Sequence, residues 1–274
     1  MMTTTRSGAP ALAAALIALG ILGLGTGDFA LVWQPVPQWV PGREILAYAF
    51  GAVSLAAGLG LLWRRTAAPA AALALGYFFL WWLLLRVPAF VASPLDAAGG
   101  LGENTVALSG ALALYAALRA PDLRALGGRL DFLSGARGIG LARMLLGLGL
   151  IGCGEAHFRF LKETAAFIPA WIPGHLAWAA ATGSAFLAAA AAILFGVRVR
   201  LAASLAAAMM AVFTVVIWLV GTARAPADRL HWTGLAVSWT LAAAAWAVAE
   251  TWRDTEWVAA SGKVIGASFA RERN

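Results

Sequence analysis

Three histidines and one neighbouring acid are the side chains best suited to chemistry in this sequence. His157, His175 and His231 all fall in the second half of the chain, and Glu155 lies two residues before His157. Imidazole and carboxylate groups bind zinc, iron or copper, and a histidine also transfers protons near neutral pH. We therefore take Glu155 and His157 as the leading candidate pair, followed by His175 and His231. The alternative is that they are amphipathic spacers at a membrane interface, and their spacing matches no established metal motif.

Asp28 is a further candidate because it aligns with Glu155 when the chain is compared with itself. Residues 18–28 match residues 145–155, and the two segments end in Gly-Thr-Gly-Asp and Gly-Cys-Gly-Glu. Two such carboxylates beside an outward-facing cavity would bind a cation or relay a proton. The alternative is that each acid only ends its helix at the water boundary.

The composition indicates that lipid, not water, surrounds most of this chain. Of the 274 residues, 62% are hydrophobic and 12% are charged, and the mean hydropathy is +0.80. A soluble domain carries about 25% charged residues. The net charge of +7 comes from arginines placed singly or in pairs between apolar segments, which argues against nucleic acid as a partner. The single cysteine, Cys153, excludes an intrachain disulfide and a CxxC redox pair.

Eight apolar segments predict an all-α integral membrane helical bundle. About 20 apolar residues in a helix cross about 30 Å of hydrocarbon, and the helix satisfies every backbone hydrogen bond internally. The segments run from Pro10 to Thr26, Ile45 to Trp63, Ala67 to Leu85, Val106 to Leu118, Ile139 to Cys153, Leu176 to Phe195, Leu201 to Gly221 and Leu230 to Ala249. The fourth and fifth segments give the weakest signal.

An internal repeat divides these helices into two sets of four. Residues 37–42 and 169–174 share a Pro-x-Trp-aliphatic-Pro-Gly sequence at a spacing of 132 residues, whereas the first helices match at 127. The sequence therefore predicts five extra residues in the second copy, within Ala156 to Ile168. We divide the chain into a first repeat (1–120), a basic linker (121–136), a second repeat (137–254) and a polar tail (255–274). Because four is even, the two repeats should be parallel.

The positions of the basic residues predict the orientation of the helices. Most of the 20 arginines and lysines fall in loops on the side of the N-terminus, and cytoplasmic loops carry an excess of these residues. We expect a multi-pass protein of the inner (plasma) membrane with both termini cytoplasmic. Arg86, Glu103 and Arg229 then lie near outer helix ends, where their side chains should reach the headgroups.

Two of these motifs resemble the DoxX-like family of four-helix membrane proteins. The resemblance rests on Gly152-Cys153-Gly154-Glu155-Ala156-His157-Phe158 and on Ile168-Pro169-Ala170-Trp171-Ile172-Pro173-Gly174. The first half follows the same pattern but has Asp28-Phe29 and no histidine. The resemblance implies a four-helix fold, here in tandem. It also implies a link to quinone-dependent electron transfer or to membrane complexes of the oxidative-stress response.

Three functions are compatible with these observations. The leading hypothesis is a subunit or accessory of a quinone-linked redox or oxidative-stress complex, with quinone or haem as the cofactor and membrane redox proteins as partners in the lipid bilayer. The first alternative is a small-molecule or lipid transporter with a cavity at the interface of the repeats. The second is a membrane scaffold without catalysis. Whether the chain is an enzyme stays open at this point.

Overall fold

The structure, a computed structural model, describes residues 7–118 and 131–254 and contains eight helices long and apolar enough to cross a membrane. No strand occurs in these residues. The helices are α1 (Gly8–Thr26), α2 (Arg43–Leu61), α3 (Ala67–Ala92), α4 (Pro94–Leu118), α5 (Gly135–Arg159), α6 (His175–Leu194), α7 (Val199–Arg224) and α8 (Arg229–Thr251). The predicted all-α bundle of eight helices is confirmed.

The fourth and fifth helices are much longer than the sequence predicted. The fourth starts at Pro94 instead of Val106, and the fifth runs from Gly135 to Arg159 instead of from Ile139 to Cys153. Polar residues such as Glu103 and Asn104 made these parts look like loops. In the fourth helix these residues are tolerated because the helix is enclosed by protein: 78% of its most apolar stretch is buried. A polar side chain within a span is tolerated where it faces other helices or a cavity.

Two central helices hold the bundle together. α4 packs against α3, α5 and α8, and α8 packs against α7, α1 and α4. α1 also packs on α2, and α5 on α6, so the order of neighbouring helices is the same in both halves. A gene duplication is our interpretation of this order.

The first and last helices meet at one face of the bundle, which we call the terminal face. The backbone N–H of Ser7 donates to Oε1 of Glu250 at 3.1 Å, and that of Gly8 donates to Oε2 at 2.8 Å. Which side of a membrane this face occupies stays a prediction. The predicted polar tail (255–274) lies wholly outside the described residues, and so does the linker up to residue 130. The remainder of the linker forms a short turn, Asp131–Leu133, and the start of α5.

The two Pro-x-Trp-aliphatic-Pro-Gly sequences, residues 37–42 and 169–174, form sharp bends before α2 and α6. Each ends in a glycine with left-handed backbone angles, Gly42 with φ of +66° and Gly174 with φ of +73°. Side chains other than glycine rarely adopt this conformation. Trp39 and Trp171 are 80% and 65% exposed on the bundle surface. Their position at helix ends is the one that tryptophan prefers at a membrane–water interface.

Glycines on α1 and α5 set how each half packs, and they correct the alignment of the two halves. A Cβ at Gly20 would lie 2.8 Å from the carbonyl oxygen of Gly51, and a Cβ at Gly154 would lie 3.0 Å from that of Gly183. Gly51 and Gly183 are 132 residues apart, whereas Gly20 and Gly154 are 134 apart. By their contacts, the first helices of the two halves therefore correspond at a spacing of 134, and the predicted spacing of 127 is wrong by one heptad.

The heptad error has a physical cause and two consequences. Glycines recur seven residues apart in both halves, at Gly20 and Gly27 and at Gly147 and Gly154. A slip of seven residues in the alignment therefore still matches glycine with glycine. At the corrected spacing Asp28 is not the counterpart of Glu155. The predicted five-residue insertion is also wrong, because the connections before α2 and α6 span residues 27–42 and 160–174.

Glycines also allow α4 and α5 to touch through their backbones. A Cβ at Gly149 would lie 2.8 Å from the carbonyl oxygen of Gly102 and 2.9 Å from the backbone nitrogen of Val106. A Cβ at Gly152 would lie 2.9 Å from the Cα atom of Gly102. Small residues are the usual means of close helix packing in membranes, where the hydrophobic effect does not draw helices together.

Replacing Gly149 by valine should therefore destabilise the protein. The added side chain would push the α4 backbone away, and overpacking of this kind costs about 1–3 kcal/mol. Gly140→Val on the same helix is the matched control, since a Cβ there has no atom within 4 Å. Thermal unfolding in a mild detergent should show a lower Tm for Gly149→Val than for Gly140→Val. Equal Tm values for the two variants would contradict the close approach of α4 and α5.

Candidate functional site

A cavity of about 680 Å³ lies in the part of the bundle away from the terminal face. Its walls come from α5, α6, α7 and α8, from the connection at residues 160–172 and, in the first half, from residues 31–33 and the start of α4. The lining is mainly apolar and rich in aromatic rings: Trp33, Phe160, Phe167, Trp171, Trp178, Phe186, Phe213 and Trp218. It is therefore suited to an apolar ligand of moderate size.

His157 is the one predicted candidate that lines this cavity. Its Nδ1 lies 2.8 Å from the carbonyl oxygen of Cys153. A carbonyl can only accept a hydrogen bond, so Nδ1 carries the proton and Nε2 is left as an acceptor. The imidazole ring packs against both Phe186 and Phe213, at centroid distances of 5.2 and 6.4 Å. Within the described residues Nε2 forms no hydrogen bond, so His157 can accept one from a ligand.

Glu103 is a second ionisable residue of the cavity wall, and the sequence had placed it wrongly at an outer helix end. It is the tenth residue of α4 and lines the cavity. The α4 backbone beside it touches α5: a Cβ at Gly102 would lie 2.9 Å from the backbone nitrogen of Cys153. Glu103 and His157 therefore face one cavity from adjacent helices. No ion pair within 4.0 Å forms at Glu103 among the described residues.

Arg86 fixes a part of the cavity wall, and the expectation that it reaches the headgroups is wrong. The residue is only 8% exposed. Its Nη2 donates to the carbonyl oxygens of Val32 and Trp33, at 2.9 and 2.6 Å. Val32 has a φ of +63°, which is strained for a β-branched residue. The guanidinium group thus holds a strained turn whose residues line the cavity, while its charge lies near that of Glu103.

Glu155 and His157 do not form the predicted pair. α5 continues to Arg159 without ending at Cys153, and residues two apart on a helix point about 200° away from each other. His157 lines the cavity, whereas Glu155 does not. Oε2 of Glu155 is buried and has no hydrogen-bond partner among the described residues.

The other two histidines lie apart from the cavity lining. His175 is the first residue of α6. Nδ1 of His231 lies 3.0 Å from Oδ2 of Asp228 but is not aligned for a hydrogen bond, and its ring packs 6.3 Å from Trp218. Across residues 7–118 and 131–254, no three His, Cys, Asp or Glu side chains are grouped closely enough to hold a metal ion.

Asp28 forms a charged clamp between the first helix and the last. Its carboxylate pairs with Arg43 and, at 3.1 Å, with Arg229, and it accepts a hydrogen bond from the backbone N–H of Phe29 at 2.7 Å. The sequence predicted that the side chain of Arg229 reaches the headgroups. Instead it pairs with Asp28 and so binds the first half of the chain. Partial burial alone would raise the pKa of Asp28, but the bonds from Phe29 and the two arginines outweigh it and lower the pKa.

The Asp28→Asn variant should be less stable by about 1 kcal/mol, because it leaves two arginines without their counter-charge. Because folding lowers the pKa of Asp28, its contribution is fully present above the ordinary carboxyl pKa and is lost as pH falls through the lowered value. Wild-type Tm in detergent should thus fall more steeply on acidification than the variant's. Asp96→Asn is the matched control and should change the acid profile less, since Asp96 is 60% exposed in its pair with Arg159 whereas Asp28 is 22% exposed. Identical acid profiles for wild type and Asp28→Asn would contradict this role.

A comparison with known proteins gives one partial match. Residues 146–249 match a family model described as a domain of unknown function (DUF8561). No curated protein and no solved structure matches the chain. The matched region covers most of α5 to α8, the four helices that wall the cavity, and it includes His157. Glu103, Arg86 and the turn at residues 31–33 lie outside it.

Proposed function

We propose that this integral membrane protein binds a lipid-soluble ring compound of the quinone class in the second-half cavity. In this way it would serve a quinone-linked redox or stress-related membrane complex, as the resemblance to the DoxX-like family implies. The observation that carries the proposal is His157, which presents a hydrogen-bond acceptor to an otherwise mainly apolar cavity with aromatic walls.

The cavity supplies the two kinds of contact that a quinone-class ligand needs. Its volume of about 680 Å³ lies within the range of about 300–1,000 Å³ that is common for small-molecule sites. The rings of Phe186, Phe213 and Trp178 can pack against a flat ligand ring. A hydroxyl group of the reduced, quinol form can donate to Nε2 of His157, and Glu103 offers a second polar contact.

Haem, the other cofactor suggested by the sequence, fits the cavity less well. Haem carries two propionate groups, which need cationic or other polar partners when they are enclosed. None of the residues that line the cavity is an arginine or a lysine. We therefore assign no haem to this site.

Two lining residues indicate how a ligand reaches the cavity. Trp178 on α6 and Val212 on α7 both line it and are 54% and 55% exposed. We expect the opening between them to face lipid, because both helices are long and apolar enough to cross a membrane. A ligand dissolved in the bilayer can therefore enter between α6 and α7 without passing through water.

Equilibrium binding of a short-chain quinol to the protein in lipid nanodiscs tests this proposal. His157→Phe keeps an aromatic ring but removes the acceptor, so we expect about tenfold weaker binding, equivalent to about 1.4 kcal/mol. His175→Phe is the matched control, since His175 does not line the cavity, and it should bind like wild type. Unchanged affinity in His157→Phe, or no saturable binding to wild type, would rule the proposal out.

A further inference from the structure

An aromatic cluster fills the first half of the bundle at the position that the cavity takes in the second half. Five rings form it: Phe29, Phe50, Tyr77, Phe78 and Trp81. Phe50 and Trp81 have ring centroids 4.6 Å apart, Tyr77 and Phe78 5.3 Å, and Phe29 and Trp81 5.5 Å. All but Phe50 are at most 5% exposed. The rings pack in the tilted and edge-to-face geometries that aromatic side chains prefer.

The register of the third helix in each half can be fixed without reference to these rings. Both α3 and α7 contain a π-helical segment, Trp82–Arg86 and Thr214–Leu219. The segments start 132 residues apart, the same spacing as the glycines Gly42 and Gly174 that precede α2 and α6. A spacing of 132 therefore relates α2 to α6 and α3 to α7.

At this spacing, three residues of the aromatic cluster in the first half correspond to residues that line the cavity in the second half. Phe50 corresponds to Thr182, and the pair Phe78 and Trp81 corresponds to Met210 and Phe213, which all line the cavity. Every replacement gives the second half a smaller or more flexible side chain. The first helix differs as well, because at a spacing of 134 the counterpart of His157 is Gly23.

We propose that the aromatic cluster is a built-in plug and that its rings occupy the place which a flat ring of the ligand takes in the second half. The chain then has one binding site, and the ligand is a planar ring bearing an oxygen atom. The plug has the same chemistry: the hydroxyl oxygen of Tyr77 accepts a hydrogen bond from Nε2 of Gln34 at 2.8 Å. That the ligand is a quinone rests on the proposed function. That the ligand is a flat ring is inferred from the aromatic rings of the plug.

The main competitor for this space is a lipid chain. Protein interiors are close-packed, and lipid would occupy a cavity of this size that opens toward the bilayer. An acyl chain could fill it, but a chain has no use for an acceptor such as Nε2 of His157. If the ligand is a ring, the cavity should bind a flat aromatic probe more tightly than a straight chain. If the ligand is a lipid chain, it should not.

The experiment restores the plug residues in the second half. Thr182→Phe combined with Met210→Phe should reduce binding of 2-naphthol and of a short-chain quinol by at least tenfold in nanodiscs. Ser184→Phe combined with Val215→Phe is the matched control, because both of these side chains face outward, and it should bind like wild type. Circular dichroism and gel filtration report whether each variant is folded. Phe213→Trp alone, which copies Trp81, should weaken binding in the same direction if the double variant does not fold.

The reverse change tests the number of sites. Phe50→Thr combined with Phe78→Met should raise the binding of 2-naphthol from one to two molecules per chain, measured by equilibrium dialysis. Decanol, a straight-chain alcohol with the same number of carbon atoms as 2-naphthol and greater hydrophobicity, should compete poorly for the wild-type site.

The outcomes separate this inference from the proposed function. Binding of 2-naphthol but not of quinol would overturn the quinone assignment and keep the ring site. Decanol binding as tightly as 2-naphthol would overturn the ring inference and favour lipid. Full binding by folded Thr182→Phe/Met210→Phe would show that the cavity is not the site, and unchanged stoichiometry in a folded Phe50→Thr/Phe78→Met variant would overturn the plug.

Discussion

The backbone contact between α4 and α5 is the constraint on which the rest of the site depends. Gly102 meets Gly149 and Gly152 with no side chain between the helices, and only this close approach brings Glu103 and His157 to one cavity. In lipid, apolar side chains gain nothing by leaving the solvent, so packing and hydrogen bonds must hold helices together. α4 also joins the first half to the second, together with α1, and it contributes Glu103 to the lining, so its position decides whether the cavity has a complete wall.

The sequence predicted the helices well because length and apolarity are sufficient to define a membrane span. It failed at the helix ends and in the alignment of the halves, for different reasons. Glu103 and Asn104 lie inside α4 because protein surrounds them, and a single sequence does not show what surrounds a residue. The heptad slip arose because Gly20 and Gly27 are seven residues apart in the sequence, as Gly147 and Gly154 are, so a wrong alignment and a right one look equally good.

The site was predictable only in part. His157 stood out because it is a rare residue type beside a glycine-rich helix. Glu155 was paired with it because α5 was expected to end at Cys153, and a continuous helix turns the two side chains apart. Arg86 and Glu103 were missed because each lies close in sequence to a predicted helix end. The walls of the cavity carry no motif, and they become visible only when residues such as Thr182 and Phe50 are compared between the halves.

The two halves contribute different things, and neither half would form the site alone. The first half is filled by aromatic rings and supplies Glu103 and the turn held by Arg86, whereas the second half supplies the space and His157. A guanidinium ion is costly within a bilayer, but Arg86 donates to two carbonyl groups and lies near the opposite charge of Glu103. Each of these two charges thus partly compensates the other at the wall of the cavity. The first half therefore completes the wall of a cavity that lies mainly in the second half.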